Sequence, residues 1–156
     1  MKYFTLEFMD KLSNMLNPEY KECNKLWQEN LIAYWSQFEN YKNKLPSRFV
    51  KEYCKHGFHD YNIESIIFYR DDKKIKDCFS IELKLCFDSN KYLIKYIGVT
   101  KYTLNVDVEN SFYNNTFLYS EILPIENIKM SHEILLENRN TVQIIFNKLV
   151  FKKIIL

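Results

Sequence analysis

The hydrophobic period of this chain changes once, close to Phe58, and that change limits what the chain can fold into. Before it, apolar residues recur every three or four positions, which is the spacing of one helix face. After it, they alternate with polar residues, which is typical of strands with one wet face. The sequence therefore predicts an α+β protein, with helices in residues 1–57, antiparallel strands in residues 58–156, and both segments in one compact domain.

The strongest helical signal is a stripe of large apolar residues in the first segment. Its central members, called here the aromatic stripe, are Trp27, Leu31, Tyr34, Trp35, Phe38 and Tyr41. One long amphipathic helix that packs on the sheet is the simpler interpretation. The same spacing also suits a coiled coil, so we expect either a monomer or a homodimer that pairs through this helix.

Two shorter helices are indicated by their end signals. Thr5 is a typical N-cap, and Phe4 before it and Met9 after it occupy the positions of a hydrophobic staple. A third helix is predicted over Ser47–Lys55, and Gly57 is placed to end it as a C-cap.

The second segment predicts an antiparallel sheet of six to seven strands, which the helices cover. Gly98 within a strand pattern predicts a bulge or a bend. The polar stretch Asn105–Asn115 predicts a loop. The predicted strands are Ile63–Arg70, Cys78–Phe87, Lys91–Ile97 with its continuation Val99–Leu104, Thr116–Leu123, Ile128–Glu137, Thr141–Phe146 and Leu149–Ile155.

Composition excludes several classes of protein. Hydrophobic residues make up 47% and charged residues 27% of the chain, close to globular averages. The net charge is +2 and no long basic run occurs, so we expect neither nucleic acid nor membrane as a partner. The chain has no signal-peptide pattern, which favours a cytoplasmic location. Aromatic residues reach 17%, which an AT-rich genome or an aromatic binding surface would explain.

Two histidine–carboxylate pairs are the residues best suited to chemistry, His59 with Asp60 and His132 with Glu133. If the first strand lies beside Ile128–Glu137, all four share one sheet end, as a metal-dependent hydrolase would require. In the local cluster of Cys54, His56, His59 and Asp60, the spacing matches no zinc pattern, so no metal or cofactor is predicted. With only two glycines, the chain cannot build the usual phosphate loop or nucleophile elbow. The favoured interpretation is that these side chains make structural hydrogen bonds where the helical segment meets the sheet.

Three short segments, Met1–Thr5, Phe58–Asp60 and His132–Leu135, together with the helical first third, resemble an uncharacterised bacterial family, the domain-of-unknown-function family 4085. The resemblance implies a bacterial cytoplasmic protein with a helical first part and a β-rich second part, and it brings no known activity. The same outline resembles small immunity proteins, which neutralise intercellular toxins by binding them. The leading functional prediction is a non-catalytic module that binds another protein through the second helix or the sheet. The alternatives are an immunity protein and a metal-dependent hydrolase.

Overall fold

The computed structural model describes residues 1–13, 16, 18–73, 75–105, 115–126 and 128–154, so the interior of the predicted loop Asn105–Asn115 lies outside it. Within these residues, three helices precede eight strands. The helices are α1 (Leu6–Leu12), α2 (Tyr20–Glu39) and α3 (Ser47–His56), with a 3-10 turn at Lys42–Lys44. The strands are β1 (Asn62–Arg70), β2 (Phe79–Phe87), β3 (Asn90–Ile97), β4 (Lys101–Asn105), β5 (Phe117–Glu126), β6 (Lys129–Leu136), β7 (Thr141–Phe146) and β8 (Lys148–Ile154). None of the described helices is both long enough and apolar enough to cross a membrane.

The strands form two antiparallel sheets of four strands each. Their orders are β1-β2-β3-β8 and β4-β7-β6-β5, and every strand pair is antiparallel. The α+β class is thus confirmed. The predicted single sheet of six to seven strands is not what forms, because the chain changes sheets twice along a run that reads as consecutive strands.

Both changes of sheet occur at the same place. Gly98, at φ +67°, turns the chain out of β3, and β4 then begins in the other sheet, so the predicted continuation of the third strand is wrong. Asn147 alone separates β7 in one sheet from β8 in the other. Its N–H donates to the carbonyl of Ile97 at 3.1 Å, and its side-chain amide donates to Asp77 Oδ1 at 2.7 Å. The two bends are therefore hydrogen-bonded to each other.

The helix ends follow the predicted capping signals. The Oγ1 of Thr5 accepts a hydrogen bond from the N–H of Phe8 at 3.4 Å. Gly57 follows α3 in the left-handed conformation, at φ +64°, and its N–H donates to the carbonyl of Tyr53 at 2.7 Å. Glycine adopts this conformation without the Cβ clash that other residues meet, which is why it ends the helix here.

Most of the aromatic stripe lies in the core. Trp27, Tyr34, Phe38 and Tyr41 are buried, while Leu31 and Trp35 are half-buried. The buried rings belong to one hydrophobic cluster that also contains side chains of both sheets. The four buried members are therefore not exposed to a second copy of the chain, and only the Leu31 and Trp35 side of the stripe remains accessible.

Three tyrosine hydroxyls hold the helices to the outer edge of β5, which pairs with β6 on its other side only. Tyr53 donates to the carbonyl of Ser120 at 2.8 Å, and Tyr41 donates to the carbonyl of Ile122 at 2.7 Å. The N–H of Ile122 donates to the Tyr34 hydroxyl at 2.9 Å, which lies 2.6 Å from that of Tyr53. Burial raises the pKa of Tyr34 and Tyr53, so both hydroxyls keep their protons.

A buried carboxylate fastens the start of the chain to the same strand. Glu121 is fully buried, and its side-chain oxygens accept hydrogen bonds from three successive backbone N–H groups. Those of Lys2, Tyr3 and Phe4 lie at 2.8, 2.7 and 2.6 Å. Hydrogen bonds to an ionised acceptor are stronger than neutral ones and offset the cost of burying the carboxylate. The contact also places the Phe4 ring against Trp27 and Tyr119.

The two glycines provide a matched test of the sheet crossing. Both have positive φ, so alanine at either costs about 1–2 kcal/mol of backbone strain. A Cβ on Gly98 would also lie 2.0 Å from Asp77 Oδ1, whereas nothing lies within 4 Å of one on Gly57. We expect Gly98→Ala to lower the free energy of unfolding by about 1 kcal/mol or more beyond Gly57→Ala, since the Asp77–Asn147 bond must break. Urea unfolding measures both, and equal losses would contradict this account.

The tyrosine contacts on β5 give a second test. Tyr53→Phe leaves the buried carbonyl of Ser120 without its donor, so we expect a loss of about 1–3 kcal/mol in the free energy of unfolding. Tyr69→Phe is the control, because Tyr69 is exposed on β1 and its hydroxyl donates to Oε2 of Glu82 at 3.2 Å in an exposed hydrogen bond. The loss for this variant should stay within about 0.5 kcal/mol. Similar losses for the two variants would mean that the edge of β5 does not depend on these hydroxyls.

Candidate functional site

A pocket of about 230 Å³ lies where the helices meet β5, and we call it the junction pocket. It is lined by Phe4, Leu31, Trp35, His56, Gly57, His59, Tyr119 and Ser120. A larger hollow of about 560 Å³ lies at the turn between β1 and β2, but it is more open and is bordered by charged residues such as Arg70, Asp71 and Asp72. The junction pocket is the better candidate site because it contains a predicted site histidine within mostly apolar walls.

The turn Gly57–Asp60 forms one side of the junction pocket and carries backbone strain. Phe58 and Asp60 are not glycines, yet their φ angles are 62° and 69°. Left-handed backbone costs such residues about 1–2 kcal/mol each and is held only where surrounding contacts fix it. Here the N–H of Asp60 donates to the carbonyl of Phe117 at 3.0 Å, and the N–H of His59 donates to that of His56 at 3.0 Å. The turn therefore holds His59 in one place.

With His56 and Ser120, the side chain of His59 supplies the polar groups of the pocket. Its Nδ1 lies 2.8 Å from Oδ1 of Asp60, and 35% of the side chain is exposed. The ring meets Tyr119 edge to face, with ring centres 5.6 Å apart. When the ring is neutral, Nδ1–H donates to Asp60, so Nε2 is left as a hydrogen-bond acceptor. No described residue donates a hydrogen bond to that Nε2.

Ser120 lines the same pocket but is not arranged as a nucleophile. Its Oγ donates to the carbonyl of Gly57 at 2.9 Å and lies 3.4 Å from the Tyr53 hydroxyl. A Ser–His–Asp arrangement would need that hydroxyl to bond His59 instead. The serine hydroxyl therefore ties β5 to the turn.

The second histidine–carboxylate pair lies elsewhere and is itself divided. His132 is fully buried, and its Nδ1 is 2.7 Å from the Tyr96 hydroxyl. Glu133 pairs with the amino group of Met1 and accepts from Gln143 Nε2 at 3.1 Å. Successive side chains of a strand point to opposite faces, which separates the two members. The predicted sheet end shared by both pairs therefore does not form, and the described residues contain no group of three His, Cys, Asp or Glu that could hold a metal.

Sequence reasoning found only part of the junction pocket. His59 comes from the predicted pairs, and Leu31 and Trp35 come from the aromatic stripe. It missed Tyr119 and Ser120, because the contact of β5 with the turn joins residues about 60 positions apart and has no local signal. Phe4 was expected only as part of a helix staple.

Comparisons with known proteins add one partial likeness. No family model matches the chain, so the resemblance to family 4085 stays a prediction. The glutamate–tRNA ligase of Buchnera aphidicola subsp. Baizongia pistaciae is 27% identical to this chain over 139 residues. That alignment covers 88% of this chain and 23% of the ligase, so the chain spans less than a quarter of that protein's length. At this identity the likeness does not assign the chain to a family.

The burial of His132 makes the stability of the folded chain depend on pH. Loss of hydration lowers its pKa from the usual 6.5 to about 3, and its Nε2 has no partner among the described residues. The rings of Tyr53, Phe49 and Phe117 also face it. Below pH 6.5 the unfolded chain binds a proton at this histidine, whereas the folded chain does not until the pH nears 3. Its contribution to stability is therefore lost as the pH falls through this window.

Because of this histidine, we expect the free energy of unfolding to fall by about 2 kcal/mol when the pH is lowered from 8 to 5, since one proton binds only to the unfolded chain. His132→Gln should remove that part of the pH dependence. Urea unfolding at several pH values measures the unaltered protein and the variant. An unchanged slope in His132→Gln would show that this ring is not the titrating group.

Proposed function

We propose that this protein is a non-catalytic module that binds another protein at the junction pocket and the adjoining side of α2. The observation that carries the proposal is a small pocket of about 230 Å³ whose walls are mostly aromatic and apolar. Protein interfaces concentrate binding energy in such pockets, which receive one or two large side chains of the partner.

An exposed apolar side of α2 adjoins the pocket and supports the same proposal. With 3.6 residues per turn, positions 31, 35 and 32 lie progressively farther from the buried stripe. Leu31 and Trp35 line the pocket, and Ile32 is 72% exposed. These side chains extend the apolar surface of the pocket along α2, and the core of a protein interface is more apolar than the rest of a protein surface.

The metal-dependent hydrolase remains the weaker alternative. It needs His59 and Asp60 to act together with His132 and Glu133. His132 is instead in the core against Tyr96, and Glu133 lies on the other face of β6. His59 and Asp60 alone offer two ligands, fewer than a catalytic zinc takes from a protein.

An immunity protein is a specific case of the leading proposal, since such a protein neutralises a toxin by binding it. A bacterial cytoplasmic protein of family 4085 would suit either role. A toxin gene directly upstream and a tight one-to-one complex with its product would distinguish the immunity role from that of a general binding module.

The ligase likeness suggests tRNA as a partner, because that enzyme is named for tRNA. A tRNA-binding face needs unpaired lysines and arginines in one patch. Several lysines of this chain instead form ion pairs with glutamates: Lys55 with Glu52, Lys91 with Glu64 and Lys95 with Glu82. Protein binding is therefore the proposal that the geometry favours.

Site-specific photo-crosslinking in the host cell tests the proposed surface. A photoreactive amino acid at position 32 should give one defined adduct, because this position adjoins the pocket. The same group at position 75 is the control, since Ile75 is 99% exposed but lies in the turn between β1 and β2. The captured protein, once purified, should form a one-to-one complex that Ile32→Asp weakens at least tenfold. Equal labelling at both positions, or no adduct at position 32, would contradict the proposal.

A further inference from the structure

We propose that the junction pocket binds one aromatic ring that carries a single O–H or N–H donor, presented by the partner as a tyrosine or tryptophan side chain. This inference rests on the proposed function and names the group by which the partner is held. It follows from three features of the pocket: its size, the chemistry of its walls, and the acceptor that His59 Nε2 offers when the ring is neutral.

The size and the walls select a ring. An engineered protein cavity of about 150 Å³ holds benzene, and pockets for drug-sized ligands begin at about 300 Å³. A pocket of about 230 Å³ lies between these values and suits a phenol or an indole. Phe4, Trp35 and Tyr119 supply aromatic faces and edges against which such a ring packs.

The acceptor on His59 selects a ring with a donor. Asp60 accepts the Nδ1 proton at 2.8 Å, so the neutral imidazole offers the lone pair of Nε2. A tyrosine O–H or a tryptophan N–H can donate to that lone pair when its ring enters the pocket. A phenylalanine ring would cover the acceptor without satisfying it, and an unsatisfied buried polar group costs binding energy.

The pocket is held open by contacts behind its walls. The Trp35 ring rests on Tyr53, with centres 5.6 Å apart, and the Tyr119 ring rests on Trp27 at 4.6 Å. The Ser120–Gly57 hydrogen bond fixes the turn that carries His59. A site fixed in this way loses little conformational freedom on binding, which favours affinity.

Two small probes, p-cresol and toluene, test the inference on the whole chain. They share one ring and one methyl group, and only p-cresol carries a donor. We expect p-cresol to bind about threefold to tenfold tighter than toluene, the usual net value of one neutral hydrogen bond. Tryptophan fluorescence reports binding through Trp35. His59→Phe should remove the preference for p-cresol while toluene still binds.

A measurement on the unaltered protein covers the case in which His59→Phe fails to fold. The ¹⁵N signal of His59 Nε2 should shift when p-cresol is added and not when toluene is added. Leu31→Trp, which fills the pocket, should block both probes, whereas Leu26→Trp is a control on the same helix outside the pocket. Equal affinity for the two probes, an unmoved Nε2 signal, or binding that survives Leu31→Trp would each overturn the inference.

The crosslinking experiment separates this inference from the proposed function. An adduct at position 32 that persists while p-cresol fails to bind overturns the ring site alone, because the partner then uses the apolar side of α2 without the pocket. Loss of the adduct removes the proposed function even if the probes bind.

Discussion

The outer edge of β5 is the constraint on which the junction depends. A sheet edge exposes unpaired N–H and C=O groups, and these must find partners if the edge is buried. Tyrosine has the complementary requirement, since its ring gains from burial while its hydroxyl needs a partner. Tyr34, Tyr41 and Tyr53 satisfy both requirements at once by placing their hydroxyls on the backbone of Ser120 and Ile122. The helices thereby cover an edge strand as a neighbouring strand would.

This arrangement also explains where the pocket lies. The tyrosines turn one side of α2 onto β5, which leaves Leu31 and Trp35 at the margin of the contact. The strained turn after α3 meets β5 from the other direction, and Ser120 ties the two together through Gly57. The space between these contacts is the junction pocket. It is therefore a consequence of how two helices end on one strand, and it needs no loop of its own.

The sequence predicts what depends on neighbouring residues and fails where distant residues meet. Period, caps and hairpins are local, so the three helices, the Thr5 and Gly57 caps and the α+β class could all be predicted. The second sheet could not be predicted, because the bend at Gly98 depends on hydrogen bonds made by Asn147, which is 49 positions away. The same holds for the site: His59, Leu31 and Trp35 carry local signals, whereas Tyr119 and Ser120 join them only through the fold. The sequence left two explanations open for the excess of aromatic residues, genome bias and a binding surface. Several of these residues are tyrosines that the core requires.

The hydrogen bonds that hold this junction together and the walls of the pocket involve largely different residues. The hydroxyls of Tyr34, Tyr41 and Tyr53 act on the β5 backbone and do not line the pocket. Leu31 and His59 line the pocket, and among the described residues neither is hydrogen-bonded to the backbone of β5. Ser120 belongs to both sets, since its carbonyl accepts from Tyr53 while its hydroxyl holds the turn. For the proposed site, a substitution at Leu31 or His59 acts on the walls of the pocket, whereas a change at Ser120 acts on the turn and on the β5 contact together.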